Sequence, residues 1–269
     1  MDEYILSRLT QIEQEKQVKI VYACESGSRA WGFPSPNSDY DVRFIYVHPL
    51  EWYLSIGEKH DVIEYPPQGQ LDINGWDFRK ALRLLRKTNP PLLEWLGSPI
   101  VYCEKYTVAQ GMRELAREYY SPAACLYHYL HMARGNYRDY LQGEVVWVKK
   151  YFYVLRPLLA MRWIEEGRGI VPTDFQVILR ELDLPQEIKT AINQLIERKK
   201  AGEELERAER IPLLSDFIDR EFGRWESTEI PPRKFFPEQA ERFDRFFLDC
   251  LIEVWGEGGS QYLLVKSNR

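Results

Sequence analysis

The spacing of apolar positions changes partway along the chain. Up to about residue 77, short runs with a period near two alternate with brief helical pieces; beyond about residue 107 the period is almost wholly helical. Tyr4, Ile5, Leu9 and Ile12 share one helical face and predict a helix over 3–16. "VKIVYAC" (18–24) and "DVRFIYVH" (41–48) read as buried strands. "HDVIEY" (60–65) and "LDINGW" (71–76) read as two more, separated by a turn at Pro66, Pro67 and Gly69. "FRKALRLLRKT" predicts a helix from Phe78, stopped at Asn89 by Pro90 and Pro91.

In the second half, "AACLYHYLHMARGNYRDYL" and "VVWVKKYFYVLRPLLAMRWIEEG" predict long helices, the latter bent or broken near Pro157. Further helices are expected over 174–182 and 186–200, and "PEQAERFDRFFLDCLIEVWG" closes the chain's regular structure. The mixed-charge run at 197–210 and the proline-rich stretch at 226–239 read as exposed connections, and there is no internal repeat. The pattern predicts an α+β fold: an N-terminal mixed sheet with flanking helices over 1–106, then a helical domain over 107–269 that closes one wall of a cleft.

Composition narrows the function classes. A 269-residue chain that is 45% hydrophobic can fill a proper core, and it holds no apolar run long enough to cross a membrane. Its acidic, amphipathic N-terminus is unlike a secretory signal, so the expected compartment is the cytoplasm. Cys24, Cys103, Cys125 and Cys250 are scattered without metal or redox spacing and read as reduced and mostly buried. A net charge of −5 excludes a whole-surface nucleic-acid binder and confines any such contact to a patch.

The candidate chemistry lies in "CESGSRAWGFPSPNSDYDVRFIYV", from Cys24. Strand alternation puts Asp39 and Asp41 on one side, about 7 Å apart along the strand. Two carboxylates that close raise each other's pKa unless a cation offsets them, and Mg²⁺ is the natural hard cation. Ahead of them, Gly27 lets backbone approach a phosphate closely and Ser28 adds a hydroxyl donor. The set suits a two-metal in-line displacement at phosphorus.

These residues resemble the DNA polymerase β-like nucleotidyltransferases, whose signature is an apolar strand, Gly-Ser or Gly-Gly, about ten residues, and then Asp-x-Asp followed by an apolar residue. The match is Gly27-Ser28, Asp39, Tyr40, Asp41 and Val42. "GWDFRKALRLLRKTNPPLLEWL" and "KKYFYVLRPLLAMRW" extend the likeness to the branch found beside RNA ligases and associated with RNA repair. The resemblance implies transfer of a nucleoside monophosphate from a nucleoside triphosphate to a hydroxyl acceptor, an RNA 3′ end or else a protein or small molecule. It implies two Mg²⁺ ions, with Mn²⁺ as a possible substitute, held by Asp39, Asp41 and a third carboxylate. Asp72 is the candidate for that third position and Asp77 the fallback, unless Asp77 caps the helix at Phe78. The rival of another class is a catalytically silent nucleotide- or RNA-binding domain, against which three carboxylates facing a phosphate argue.

Other candidates carry two readings each. Arg29 is a phosphate donor or a solvated arginine; Arg43, on the face of Asp39 and Asp41, neutralises them without metal or binds phosphate. Lys149, Tyr153 and Arg156 share a helical face that is either a phosphate clamp or a solvated stripe, with Lys150 as the adjacent alternative. Glu94 reads as a helix-surface carboxylate rather than a pocket residue, and His128 and His131 as half-buried packing rather than a metal pair. Trp31-Gly32-Phe33 stands out because it directly follows the phosphate-binding turn.

Overall fold

The computed structural model describes residues 1–203, 205–230, 232 and 236–256. Five strands form one sheet: β1 (Lys19–Glu25), β2 (Tyr40–Val47), β3 (Val62–Glu64), β4 (Leu71–Asp77) and β5 (Val101–Glu104), in the order β3-β4-β2-β1-β5. β1 runs antiparallel to β2 and β5, and β3 antiparallel to β4, whereas β2 and β4 are parallel. The expected mixed sheet and α+β class are what the chain adopts.

Both faces of the sheet are covered. On one side α1 (Asp2–Lys16) lays Ile5, Leu9 and Ile12 over Ile20, Phe44 and Ile73. The other side, carrying Val21, Ile45 and Val47, meets the helices. Along β4 the alternation sends Leu71 and Ile73 toward α1 and Asp72, Asn74 and Trp76 to the opposite face, where Trp76 stacks on Trp95 at 3.8 Å. Two short helices, α2 (Gly27–Ala30) and α3 (Leu50–Tyr53), follow β1 and β2. Side-chain caps start the next two. Asp77 accepts from Arg79 N at 2.9 Å at the head of α4 (Phe78–Arg86), and Asn89 from Leu92 N at 3.2 Å at the head of α5 (Pro90–Leu96).

The helical part comprises α6 (Val108–Glu118), α7 (Pro122–Tyr140), α8 (Tyr151–Glu165), α9 (Phe175–Glu181), α10 (Gln186–Lys200), α11 (Pro212–Glu226) and α12 (Gln239–Trp255). α8 continues through Pro157 rather than breaking there. Its apolar residues join those of the sheet face in one continuous core, from Val21 and Ile45 through Leu155 to Leu214 and Val254.

Two expectations need correction. Residues 145–147 are not helical: they form β6 (Val145–Trp147), paired antiparallel with β7 (Arg207–Glu209), and a 3₁₀ turn over Val148–Lys150 leads into α8. The stretch 197–210 is not one exposed connection, because α10 runs to Lys200 with Lys199 buried, and β7 follows. The stretch 226–239 falls partly outside the described residues. Among the described residues, no helix is long and apolar enough to cross a membrane.

Candidate active site

The end of β1 shapes the site. Glu25, its last residue, is wholly buried, and Oε1 accepts from Asp41 N at 2.7 Å while Oε2 accepts from the Tyr102 hydroxyl of β5. Ser26 N donates to Asp41 O at 2.8 Å, so both sides of the Asp41 residue are tied to the end of β1. Burial pushes the Glu25 pKa up. The chain then turns through Gly27 at φ 56°, and a Cβ there would stand 2.0 Å from Asp41 Oδ2. Only glycine permits both that backbone and that approach.

Asp41 and Asp72 are register partners on the parallel strands β2 and β4. Arg43 bridges them, its Nη2 donating to Asp41 Oδ1 at 3.1 Å and to Asp72 Oδ2 at 2.8 Å; Nη1 also donates to the Val42 and Asp72 carbonyls, each at 3.1 Å. Of its two readings, the geometry matches the neutralising one. Burial raises the Asp41 pKa, and Arg43 acts against that rise. Asp39 lies exposed just before β2 and lines the same cavity as Asp41. Asp77 is not the third carboxylate. Five residues further along β4, roughly 16 Å away, it is wholly buried, caps α4 and accepts from the Tyr53 hydroxyl at 2.7 Å; burial pushes its pKa to about 6.

The cavity over Asp39 and Asp41, about 230 Å³, is bounded by Gly27, Ser28, Trp31 and Phe33 on one side. Ser28 Oγ bonds Ser38 Oγ at 3.1 Å, which also accepts from Ser35 N at 2.9 Å. Arg29 does not reach for a phosphate. Its Nε and Nη2 donate to the Asp39 and Ser38 carbonyls at 3.1 and 2.8 Å, and its guanidinium lies 3.7 Å from the Tyr40 ring centroid, tying α2 to the loop that delivers Asp39.

The helical wall divides the expected trio. Lys149 and Tyr153 line the cavity, but Arg156 does not. Its side chain is 2% exposed and paired with Glu94 Oε1 at 2.6 Å, and its guanidinium sits 4.7 Å from the Trp31 ring centroid. The charge Arg156 carries is neutralised by a largely buried carboxylate, and Glu94 is correspondingly not a solvated helix-surface residue. Lys149 reaches the cavity from the 3₁₀ turn, held there by its N–H donating to Leu205 O at 3.0 Å. His128 is half-buried, its ring centroid 6.2 Å from that of Tyr129, and burial pushes its pKa down.

Two further residues belong to the site. Glu25 sets the Asp41 backbone, and its one sequence signal is a carboxylate ending an apolar strand just before Gly27. Lys199 enters the cavity from α10, its Nζ donating to Phe33 O at 3.2 Å and standing 4.8 Å from the Phe33 ring centroid. Burial pushes its pKa down to about 8. The signal was helical: Ile188, Ile192 and Leu195 continue to Lys199 on the buried stripe of α10.

That donor set fits Mg²⁺. The oxygens are hard, no three carboxylates among the described residues form a closed cage, and Mg²⁺ is usually held by one or two carboxylates with water and substrate phosphate completing the shell. The Arg43 guanidinium between Asp41 and Asp72 marks where positive charge is favoured.

The chain is 51% identical over 260 residues to the uncharacterized protein YcgL of Bacillus subtilis (strain 168), covering 97% of this chain and 100% of that one. It is also similar to the crystal structure of a nucleotidyltransferase-like protein from Exiguobacterium sibiricum 255-15. That likeness, at 12% identity over 94% of this chain and 92% of the other with a TM-score of 0.30, is too loose to position any residue. The family match extends over residues 1–249, and the chain belongs to the RNA repair pathway DNA polymerase beta family, a group of polymerase β-like nucleotidyltransferases.

Proposed function

We propose that this protein moves a nucleoside monophosphate from a nucleoside triphosphate to a hydroxyl at an RNA 3′ end, with release of pyrophosphate. One observation carries the reading: Asp41 is clamped against Gly27 at the end of β1, with Asp39 in the same cavity and Asp72 in register beside it. The description of the family supports RNA as the acceptor.

Asp39, Asp41 and Asp72 would hold Mg²⁺. When bound, Mg²⁺ offsets the charge of the phosphates and eases deprotonation of the acceptor hydroxyl. Gly27 and Ser28 admit the terminal phosphates, and Lys149 and Lys199 face them from the helical wall with fixed positive charge whose attraction grows as negative charge builds on the leaving group. Asp72, on the far flank of Asp41, orients the acceptor. Incubating the protein with each α-labelled triphosphate, Mg²⁺ and pooled small RNA tests the reading. Label should enter RNA with the parent and not with Asp41→Asn. Label that enters RNA equally with both proteins, or with neither, defeats it.

A further inference from the structure

A second cavity, about 410 Å³, opens beside the catalytic one, and Ser35, Asn37, Lys149 and Lys199 line both. Beyond that shared wall the lining changes character, to the Trp147 indole, Leu205 and Lys150, with Glu203, which is paired to Arg198, and Glu206. Its volume lies within the range of ordinary small-molecule sites, roughly 300–1,000 Å³. Trp147 ends β6 with 44% of its surface exposed, although it is a large apolar side chain on a paired strand. The ladder that fixes it continues past the strand: Val148 N donates to Glu206 O at 2.9 Å and Lys149 N to Leu205 O at 3.0 Å. One short piece of sheet therefore sets an open indole in the second cavity and an ammonium at the junction.

The two junction lysines share their walls with Asp39 and Asp41 on one side and Glu203 and Glu206 on the other, but pair with none of them. Among the described residues, neither Lys149 nor Lys199 has a carboxylate within ion-pair distance, and the Lys199 ammonium donates to the Phe33 carbonyl and lies over the Phe33 and Phe152 rings, with Asp41 acting on it only from further off. A buried, uncompensated cation is costly, and a phosphate between the two lysines removes that cost.

Position decides which ligand this is. Asp72 lines neither cavity; it sits on the β4 flank of Asp41, while the second cavity opens past the Ser35–Ser38 loop and α10. A triphosphate lying along Gly27, Ser28 and the two lysines has room for its nucleoside in the second cavity and leaves the Asp72 flank to the acceptor. We propose that the second cavity seats the nucleoside of the donor triphosphate, its base against the Trp147 indole and its phosphates passing between Lys149 and Lys199 into the catalytic cavity. This rests on the triphosphate reading above.

Inorganic tripolyphosphate separates the two halves of the ligand, since it carries the phosphates and no nucleoside. Calorimetric titration with Mg²⁺, using each of the four ribonucleoside triphosphates and tripolyphosphate, compares the parent with Trp147→Ala, Trp147→Phe and Lys199→Met. Base stacking on an aromatic predicts that Trp147→Ala weakens the best nucleotide by roughly ten- to a hundredfold. Tripolyphosphate affinity should stay within about twofold, Trp147→Phe should recover most of the loss, and Lys199→Met should weaken both ligands. Trp147→Ala that binds nucleotide as the parent does, or that loses nucleotide and tripolyphosphate alike, overturns the proposal. A parent that binds tripolyphosphate but no nucleotide better overturns it too, whereas a parent that binds neither overturns the triphosphate reading beneath it.

Discussion

At Gly27 two constraints coincide, a left-handed backbone and a carboxylate where a methyl would go. Gly27→Ala should therefore cost about 1–2 kcal/mol in urea unfolding through the backbone alone. Displacement of Asp41 should cost more in function, on the order of a hundredfold in label transfer, because misplacement near 1 Å is felt at that scale. Asp77 gives a pH signature away from the chemistry. Its pKa rises from an ordinary 3.8 to about 6 on folding, so the folded protein binds the proton more tightly than the unfolded chain. The stability this contributes is present below about pH 4 and lost as pH rises through about 6, by the linkage of proton binding to unfolding. Relative to Asp77→Asn, which keeps an oxygen for the cap, the parent should lose melting temperature across that window; parallel profiles would remove the effect. The gathering of Gly27, Ser28, Asp39 and Asp41 around one cavity was legible from local spacing, and the place of Asp72 beside Asp41 from the strand it rides on. Glu25 and Lys199 were not, since a charged side chain reads as solvated until the elements packed over it are known.

At the scale of elements, β6 is the instructive failure. Val145–Trp147 runs straight into the apolar residues of α8, so the local period reads as one helix, and the partner that makes it a strand lies at Arg207–Glu209, far along the chain. One helix over 145–167 would carry Lys149 and Arg156 on one face; instead Lys149 lies in the 3₁₀ turn and lines the cavity, while Arg156 is buried within α8. Their variants should now behave oppositely. Arg156→Ala leaves Glu94 as an uncompensated, largely buried charge and should cost about 3–5 kcal/mol in chemical denaturation. Lys149→Ala should change stability by no more than about 0.5 kcal/mol, as for surface substitutions, yet weaken triphosphate binding in a direct titration. Equal stability losses would mean that both lysine and arginine serve the fold.

For the whole molecule, the apolar core passes from the sheet face into the helices without interruption, and α12 packs back on the N-terminal part through Phe247, whose ring centroid lies 5.0 Å from that of Tyr53 and 5.5 Å from that of Phe78. Calorimetry should show one cooperative transition; two resolved peaks would show halves that unfold separately. Adding Mg²⁺ with the best triphosphate should raise the transition temperature, by about 2.7 kcal/mol of stability at a hundred times Kd. The general architecture was readable from periodicity, whereas the continuity of the core depends on which faces meet and has no local signature. Arg43 gives a last consequence. Because its guanidinium already offsets one of the two charges of Asp41 and Asp72 across two adjacent strands, we predict that the sheet assembles without an ion, unlike small metallo-domains that fold only when loaded. Newly made chain would then mature in a cell starved of free divalent cation, and under the proposed function the ion would arrive later with the nucleotide. Treatment with a chelator should leave the melting curve where it was, while Arg43→Ala should lower it and make it rise again on adding Mg²⁺ alone.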